Sequence, residues 1–353
     1  MRCTDRNDLR TLRARERKRQ KANAILMLIL FICLICLLAM ILYRFVFRSH
    51  EIEITNPYDI SDVCFGVMEQ ASSEGKAVPF TDGLCVTAED VSADGVSLDY
   101  ATAGAIMDLT NDDVLFAQNV HEQLYPASLT KIMTALVALK YGNLDDEIFI
   151  DEIALDIDPE SSVCYLEYGD IYTLRQLIYG LLIASGNDAG NAIANHVGGS
   201  IDNFVAMMNQ EAAEIGATNT HFSNAHGLQD ENHYTTPYDI YLMFNEAMKY
   251  DVFTDAINKS SYVVTYKDSE GNQWERTWSA TSYYFTGYAA APEGISVYGG
   301  KTGTTDEAGA CLSLLSKDDY GNSYFSIIMQ SQTKDDLYSE MNELLSIAVK
   351  KQL

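Results

Sequence analysis

Basic residues are scarce in this chain of 353 residues. It contains 24 Lys and Arg against 50 Asp and Glu, for a net charge of −26. Nine of the basic and three of the acidic residues lie in residues 1–21, so that segment carries +6 and the other 332 residues carry −32. Because so acidic a body repels phosphate groups, nucleic acid is excluded as a partner.

Sequence patterns for metal and redox sites are missing as well. The one Cys-x-x-Cys pair, Cys33 and Cys36, lies within an uninterrupted apolar run and does not suggest zinc or redox chemistry. Neither a His-Glu-x-x-His motif nor a third spaced ligand accompanies His226 and His233. We therefore predict that the protein uses no metal and no cofactor. The two histidines are expected to order a loop, and Asp239 is expected to support a helix cap rather than to act as a catalytic acid.

A long apolar run follows the basic segment. Residues 24–43 contain no charged residue, no Pro and no Gly, and about 20 apolar residues suffice to cross a bilayer core. A cleaved signal peptide would have a shorter apolar region followed by small residues, whereas here Arg44 and Arg48 follow. We predict an uncleaved single-pass anchor in the cell membrane. The basic N-terminus would lie in the cytoplasm and the rest of the chain outside.

Four cysteines follow this predicted anchor: Cys64, Cys85, Cys164 and Cys311. Disulfides persist outside the cytoplasm, and four cysteines allow three pairings. The sequence does not decide among them. A Cys64–Cys85 bridge is the favoured guess, because it would close a short loop ahead of the main domain.

The part of the chain after the anchor divides into a polar linker, residues 49–98, and a patterned domain, residues 99–353. Two apolar stretches around Asn111 predict a hairpin, and several apolar runs with helical spacing follow it. From residue 261 the pattern becomes strand-like until a closing helix. This order predicts a mixed α/β (α+β) fold in which a sheet packs with a helical block, and not repeated βαβ units.

Ser128 and Lys131 form a Ser-x-x-Lys pair at the start of an apolar helix. A serine there could act as a nucleophile, because the helix N-terminus favours a forming alkoxide and a lysine one turn on can take the proton. The spacing itself is common, since Ser73/Lys76 and Ser331/Lys334 share it. The alternative is a helix-capping serine beside a solvated lysine.

Two further short motifs come later in the chain. Ser185-Gly186-Asn187 interrupts two apolar helices, and Lys301-Thr302-Gly303 follows a β-branched strand and precedes Thr304. Gly303 is expected to let a ligand backbone lie close to the strand edge. Taken alone, the first could be a turn with a cap, and the second a glycine-rich hairpin turn.

In this order, the three motifs resemble those of the penicillin-recognising serine enzymes. The flanking stretches YPASLTKIMTAL, LIASGNDAGNAIA, THFSNAHGLQDENHYTTPYDI and GGKTGTTDEAGACL are similar to the serine-type D-alanyl-D-alanine carboxypeptidases, the low-molecular-mass penicillin-binding proteins of peptidase family S11. The resemblance spans about residues 100–350. It implies a β-lactamase/transpeptidase-like fold, with an antiparallel sheet packed against a helical block.

The resemblance also implies the roles of the catalytic residues. Ser128 would be the acylated nucleophile and Lys131 its general base. Ser185 would relay protons toward the leaving amine, and Asn187 would hold Lys131 and the substrate amide. The partners would be peptidoglycan stem peptides as substrate and β-lactams as inhibitors that acylate Ser128.

The third motif would bind the substrate. Lys301 would bind the terminal carboxylate and lower the pKa of Lys131, with Thr302 assisting. The backbone N–H groups of Ser128 and Thr304 would form the oxyanion hole. Many family members have His where Thr304 stands, and many carry a C-terminal β-domain with an anchor helix, whose place the N-terminal span would take here.

Other activities fit the same residues. A D,D-endopeptidase of peptidoglycan cross-links would use them unchanged, and a slowly turning-over β-lactam or muropeptide sensor would keep the acylation step alone. A β-lactamase is less consistent with the sequence, because Ser-Gly-Asn stands where class A enzymes have Ser-Asp-Asn and no deacylating Glu is identifiable.

Overall fold

The computed structural model describes residues 83–158 and 161–350. The basic segment 1–21, the predicted anchor 24–43 and the predicted linker up to residue 82 lie outside the described residues. Within the described ranges, no helix is both long enough and apolar enough to cross a membrane.

The strands and helices of the described ranges follow one another with short connections. The strands are β1 Ala101–Asp108, β2 Asp113–Gln118, β3 Glu147–Phe149, β4 Ile171–Thr173, β5 Ser261–Lys267, β6 Gln273–Ser279, β7 Ile295–Thr305, β8 Gly309–Asp318 and β9 Ser323–Ser331. The helices are α1 Lys131–Tyr141, α2 Glu152–Leu155, α3 Leu174–Ile183, α4 Asn187–Gly198, α5 Ile201–Glu214, α6 Pro237–Ala247, α7 Asp251–Ile257, α8 Tyr283–Thr286 and α9 Lys334–Lys350. A 3-10 turn, Ala127–Thr130, leads into α1.

A five-stranded antiparallel sheet in the order β2-β1-β9-β8-β7 lies between two helical layers. Because side chains alternate across a strand, β1 contributes to both layers. Ala105 and Met107 belong to the large core shared with the helical block, and Ile106 packs with Leu337 and Leu344 of α9. The predicted hairpin is confirmed as β1–β2, and the mixed fold of helices and antiparallel sheet is confirmed as well.

A second sheet, in the order β3-β4-β5-β6, was not predicted. β3 and β4 have three residues each, too few to show an alternating pattern in the sequence. Aromatic packing joins these strands, since the rings of Tyr172 and Tyr266 stack with centroids 4.7 Å apart. Trp278 of β6 is buried, and its Nε1 donates to the Cys164 carbonyl at 3.0 Å. The sheet therefore supports the segment around Cys164.

Local sequence signals mark where α6 of the helical block begins. Thr236 caps α6, accepting from the Asp239 amide at 3.0 Å, and Pro237 occupies the first helical position. The Asp239 carboxylate in turn accepts from the Asn219 amide and the Thr220 hydroxyl. This agrees with the structural role predicted for Asp239.

Two predictions about the region before β1 need correction. Residues 83–98 do not form a free linker, because Cys85 and Leu98 are buried and Val91 pairs with Ala117 of β2 through two 2.8 Å backbone hydrogen bonds. The predicted Cys64–Cys85 disulfide is contradicted by the state of Cys85. Cys85 is a free, fully buried thiol whose Sγ donates to the Asp108 carbonyl at 3.4 Å, and Cys64 lies outside the described residues.

Candidate active site

Ser128 lies in the 3-10 turn that precedes α1, and not inside the α-helix itself. A 3-10 turn places residues i and i+3 directly above one another, so Ser128 and Lys131 face each other more closely than in an α-helix. Ala127, just before the serine, has φ +45°, a left-handed conformation that is uncommon outside glycine. The backbone is therefore bent next to Ser128.

Lys131 is completely buried and contacts three oxygen atoms. Its Nζ lies 2.7 Å from Ser128 Oγ, 2.7 Å from Asn187 Oδ1 and 2.6 Å from the His226 carbonyl oxygen. Burial, and then the charge of Lys301, holds its pKa well below the usual 10.5. Two of the three partners can only accept. In the neutral amine, two N–H groups donate to these acceptors, and the lone pair is left facing the serine hydroxyl.

Lys301 lies on β7 and is also buried. Its Nζ donates to Ser185 Oγ at 2.9 Å and to the Thr302 carbonyl at 2.8 Å. Burial lowers its pKa from 10.5 to about 7. Ser185 occupies the break between α3 and α4 with φ +60°. The fold thus joins the second and third motifs directly, through a lysine and a serine 116 residues apart.

Gly303 is needed for a reason that the sequence did not suggest. A Cβ at this position would lie 3.0 Å from both the Pro126 oxygen and the Ser128 nitrogen. The missing side chain therefore makes room for the turn that carries Ser128, whereas we had expected room for a ligand. Next to it, Thr302 Oγ1 lies 2.5 Å from Thr281 Oγ1, and Thr304 Oγ1 donates to the Gly303 carbonyl at 2.7 Å.

Five of the eight predicted site residues line a pocket of about 120 Å³. Ser128, Ser185 and residues 302–304 all contribute to its lining. Sequence reasoning missed Tyr283 and Lys334, which line it as well. Lys334 belongs to a Ser-x-x-Lys match that we had treated as chance spacing, and no local pattern pointed to Tyr283.

Asp188 was also missed, although it directly follows the second motif. Its carboxylate is buried and accepts from the Cys164 amide at 2.8 Å and the Leu166 amide at 3.0 Å. Beside it, the backbone N–H of Asn187 donates to the Ser162 carbonyl at 2.8 Å. The carboxylate thus fixes the segment around Cys164 against the Ser-Gly-Asn turn, and Ser162 of this segment lines the pocket.

The two histidines lie in the loop before α6. Burial, together with the charge of Lys131, lowers the pKa of His226 to about 3, and burial lowers that of His233 to about 4. The ring of His226 accepts from the Leu228 amide at 3.2 Å, in line with the loop-ordering role predicted for it. In the described ranges, no cluster of three or more His, Cys, Asp or Glu side chains is placed to hold a metal ion.

A buried lysine at the hydroxyl of a serine, with a second buried lysine on the strand across the cleft, is the arrangement of the penicillin-recognising serine enzymes. The helical block on a five-stranded antiparallel sheet agrees with that class. Within it, the chain belongs to the D-alanyl-D-alanine carboxypeptidase family, peptidase family S11, whose family model matches residues 87–333.

Relatives of known name support this assignment. D-alanyl-D-alanine carboxypeptidase DacF of Bacillus subtilis (strain 168) is 32% identical over 255 residues, which are 70% of this chain and 62% of DacF. The D-alanyl-D-alanine carboxypeptidase of Streptomyces sp. (strain K15) is 30% identical over 223 residues, 60% of this chain and 75% of that protein. The crystal structure of the Streptomyces K15 DD-transpeptidase aligns with a TM-score of 0.67 at 27% identity, covering 74% of this chain and all of that one. This chain thus spans less than two thirds of the length of DacF.

Proposed function

We propose that the protein is a D-alanyl-D-alanine carboxypeptidase that removes the terminal D-alanine from peptidoglycan stem peptides through an acyl-enzyme on Ser128. One observation carries the proposal. The Nζ of the buried Lys131 has two partners that only accept hydrogen bonds, and its third partner is the Ser128 hydroxyl. A neutral lysine there has its lone pair directed at the one proton that acylation must remove.

In the proposed acylation step, Lys131 takes the proton of Ser128 as its Oγ attacks the carbonyl carbon of the penultimate D-alanine. The backbone N–H groups of Ser128 and Thr304 would stabilise the oxyanion, and removal of one such donor typically costs about 3 kcal/mol of transition-state stabilisation. Ser185, hydrogen-bonded to Lys301 Nζ, would relay the proton taken up by Lys131 to the departing D-alanine amine, which returns Lys131 to its neutral form. Water then attacks the ester, with Lys131 again as the base, and releases the shortened peptide.

Substrate binding would involve Lys301, Thr302 and Asn187. Lys301 has a pKa lowered to about 7, so a carboxylate entering the pocket would favour its charged form. Thr302 would donate its hydroxyl to the same carboxylate. Asn187 Oδ1 already accepts from Lys131, which leaves its amide N–H groups for the substrate backbone. β-Lactams would enter the same pocket and acylate the same serine.

The proposal extends to the cellular location. Residues 24–43 would anchor the protein in the cytoplasmic membrane, with residues 1–21 inside and the catalytic domain outside. The nine basic residues of segment 1–21 support this orientation. In intact cells, an external protease should digest the domain, and alkaline carbonate should leave the protein in the membrane fraction. A domain that is protected from the external protease, or a protein that carbonate releases from the membrane fraction, would contradict the predicted anchor.

The activity is tested with the full-length chain and its Ser128→Ala variant. Both are incubated with a pentapeptide ending in D-Ala-D-Ala, and free D-alanine is followed with time. We expect release by the unaltered protein and none by the variant. Equal release by both would show that Ser128 is not the nucleophile, and no release by either would contradict the carboxypeptidase.

A second activity is favoured by one observation, namely that the structural neighbour from Streptomyces K15 is called a DD-transpeptidase. The same acyl-enzyme would then be attacked by an amine instead of water. Adding an amine acceptor, such as glycine, to the D-alanine assay separates the two outcomes. A product that carries glycine would indicate transpeptidation. Cleavage of cross-linked muropeptides in place of pentapeptide would indicate the endopeptidase considered from the sequence.

A further inference from the structure

The residue before the nucleophile has a backbone conformation that must be held in place. Ala127 is buried and left-handed with φ +45°, which for an alanine costs about 1–2 kcal/mol. Residues in such conformations persist where their surroundings determine them. The groups that contact the Ala127 carbonyl should therefore decide where Ser128 points.

A directional chain of hydrogen bonds reaches this carbonyl from the loop before α6. The Ser223 amide donates to His233 Nδ1 at 3.0 Å. An Nδ1 that accepts must be unprotonated, so in the neutral ring Nε2 carries the hydrogen. Nε2 lies 2.7 Å from Thr130 Oγ1 and therefore donates to it. Because the hydroxyl accepts from His233, its own hydrogen is directed to the Ala127 oxygen at 2.8 Å.

Packing restricts the same carbonyl from a second side. A Cβ on Gly227 would lie 1.8 Å from the Ala127 oxygen and 2.9 Å from Thr130 Oγ1, so the loop lies directly against this peptide group. The residue before it, His226, accepts from Lys131 through its carbonyl. One loop thus contacts both the turn that carries the nucleophile and the proposed base.

We propose that His233 is a positioning residue for Ser128, acting through Thr130 on the Ala127 carbonyl. This inference rests on the proposed function, because it assigns His233 a part in presenting the serine for acylation. His233 is 2% exposed and neither touches substrate nor transfers a proton. Burial lowers the pKa of His233 to about 4, which keeps the ring in the neutral form that the hydrogen-bond chain requires.

The test compares four forms of the full-length chain in acylation by a fluorescent penicillin, with the rate constant and the initial binding constant measured separately. Thr130→Val removes the hydroxyl at nearly constant volume, whereas Thr130→Ser keeps the hydroxyl and removes only the methyl group. Thr134→Val is the matched control. It removes another buried hydroxyl from the same helical face, one that donates to the Ala225 carbonyl at 2.6 Å and not to Ala127.

We expect Thr130→Val to lower the acylation rate constant on the order of 10- to 100-fold, with initial binding changed less than about threefold, because a displacement of about 1 Å at the reacting group costs that much. Thr130→Ser should recover most of the rate, and Thr134→Val should acylate within about threefold of the unaltered chain. Nitrogen-15 NMR of labelled histidine should show His233 as the Nε2–H tautomer at pH 7.

The contradicting results are separable. Acylation of Thr130→Val at the unaltered rate would overturn the positioning role, as would an equal loss in Thr134→Val. An Nδ1–H tautomer at His233 would reverse the hydrogen-bond chain and also overturn it. If the unaltered chain is not acylated at all, the proposed function fails, and this inference fails with it.

Discussion

Replacement of Lys301 by Met should change how the stability of the domain depends on pH. Lys301 is 1% exposed, and burial lowers its pKa from 10.5 to about 7. At about 1.4 kcal/mol per pKa unit, burying this amine costs the folded state about 5 kcal/mol wherever both states are protonated, that is, below about pH 7. Methionine has a similar length and carries no charge.

The sign of the effect follows from the protons bound in each state. Between pH 7 and pH 10.5 the unfolded chain keeps the Lys301 proton that the folded chain has lost, so stability rises with pH across this window. The free-energy cost of burying the Lys301 amine should therefore fall by about 2 kcal/mol between pH 7 and pH 9. Lys131, whose pKa is also lowered by burial, contributes with the same sign.

The assay is urea unfolding of the unaltered chain and of Lys301→Met at pH 7, 8 and 9. Both tryptophans of the chain, Trp274 and Trp278, lie in β6, so their fluorescence follows the unfolding of this domain. Subtracting the two free energies of unfolding cancels the titration of groups that the variant does not affect. Lys249→Met is the matched control, because the side chain of Lys249 is 63% exposed.

We expect the variant's advantage in stability to be larger at pH 7 than at pH 9 by about 2 kcal/mol. The loss of the Lys301 hydrogen bonds to Ser185 and Thr302 adds a cost that is nearly independent of pH. Lys249→Met should show a difference that stays constant. A constant difference for Lys301→Met would refute the conclusion that burial has lowered the pKa of this lysine.

Three further substitutions test the geometry. Gly303→Ala should slow acylation by about tenfold, because its Cβ would lie 3.0 Å from the Ser128 nitrogen and displace the turn. Gly190→Ala should raise the free energy of unfolding by about 0.5–1 kcal/mol, since the position lies inside α4 and its Cβ would meet neighbouring segments only at 3.4–3.5 Å. Asp188→Asn should lower stability by about 1–3 kcal/mol, because an amide NH₂ would face the Cys164 or Leu166 amide. Penicillin labelling measures the first, and urea unfolding the other two.

The outcomes that contradict these expectations are distinct. An unchanged acylation rate in Gly303→Ala would mean that the strand and the turn adjust without displacing Ser128. A less stable Gly190→Ala would indicate tighter packing of α4 than the contacts show. Asp188→Asn with unaltered stability would show that the segment around Cys164 does not depend on the carboxylate.

Local signals in the sequence predicted much of the fold. The polar residues around Asn111 marked the β1–β2 hairpin, and Thr236 with Pro237 marked the start of α6, because caps and turns are encoded by neighbouring residues. The second sheet could not be predicted in this way. It depends on β4 pairing Ile171 with Lys267, residues far apart in the chain, and its first two strands are too short to show a pattern.

The site could be predicted only in part. The three motifs named the residues. The structure joins Lys131 to Ser128 and Asn187, and Lys301 to Ser185, by hydrogen bonds, and both serines line the pocket. Their catalytic roles stay predictions. The left-handed backbone of Ala127 had no local signal, because alanine carries no preference for it. It depends on a loop about a hundred residues away, and such long-range contacts leave no pattern in a single sequence.

The central claim is that Ser128 forms the acyl-enzyme with Lys131 as its base. The most direct measurement is mass spectrometry of the full-length chain after brief exposure to penicillin at pH 7, with the adduct mapped by proteolysis. We predict a single adduct on the peptide that contains Ser128, formed at least about 100-fold more slowly in Lys131→Met. An adduct on another residue, or formed equally fast in Lys131→Met, would contradict the account.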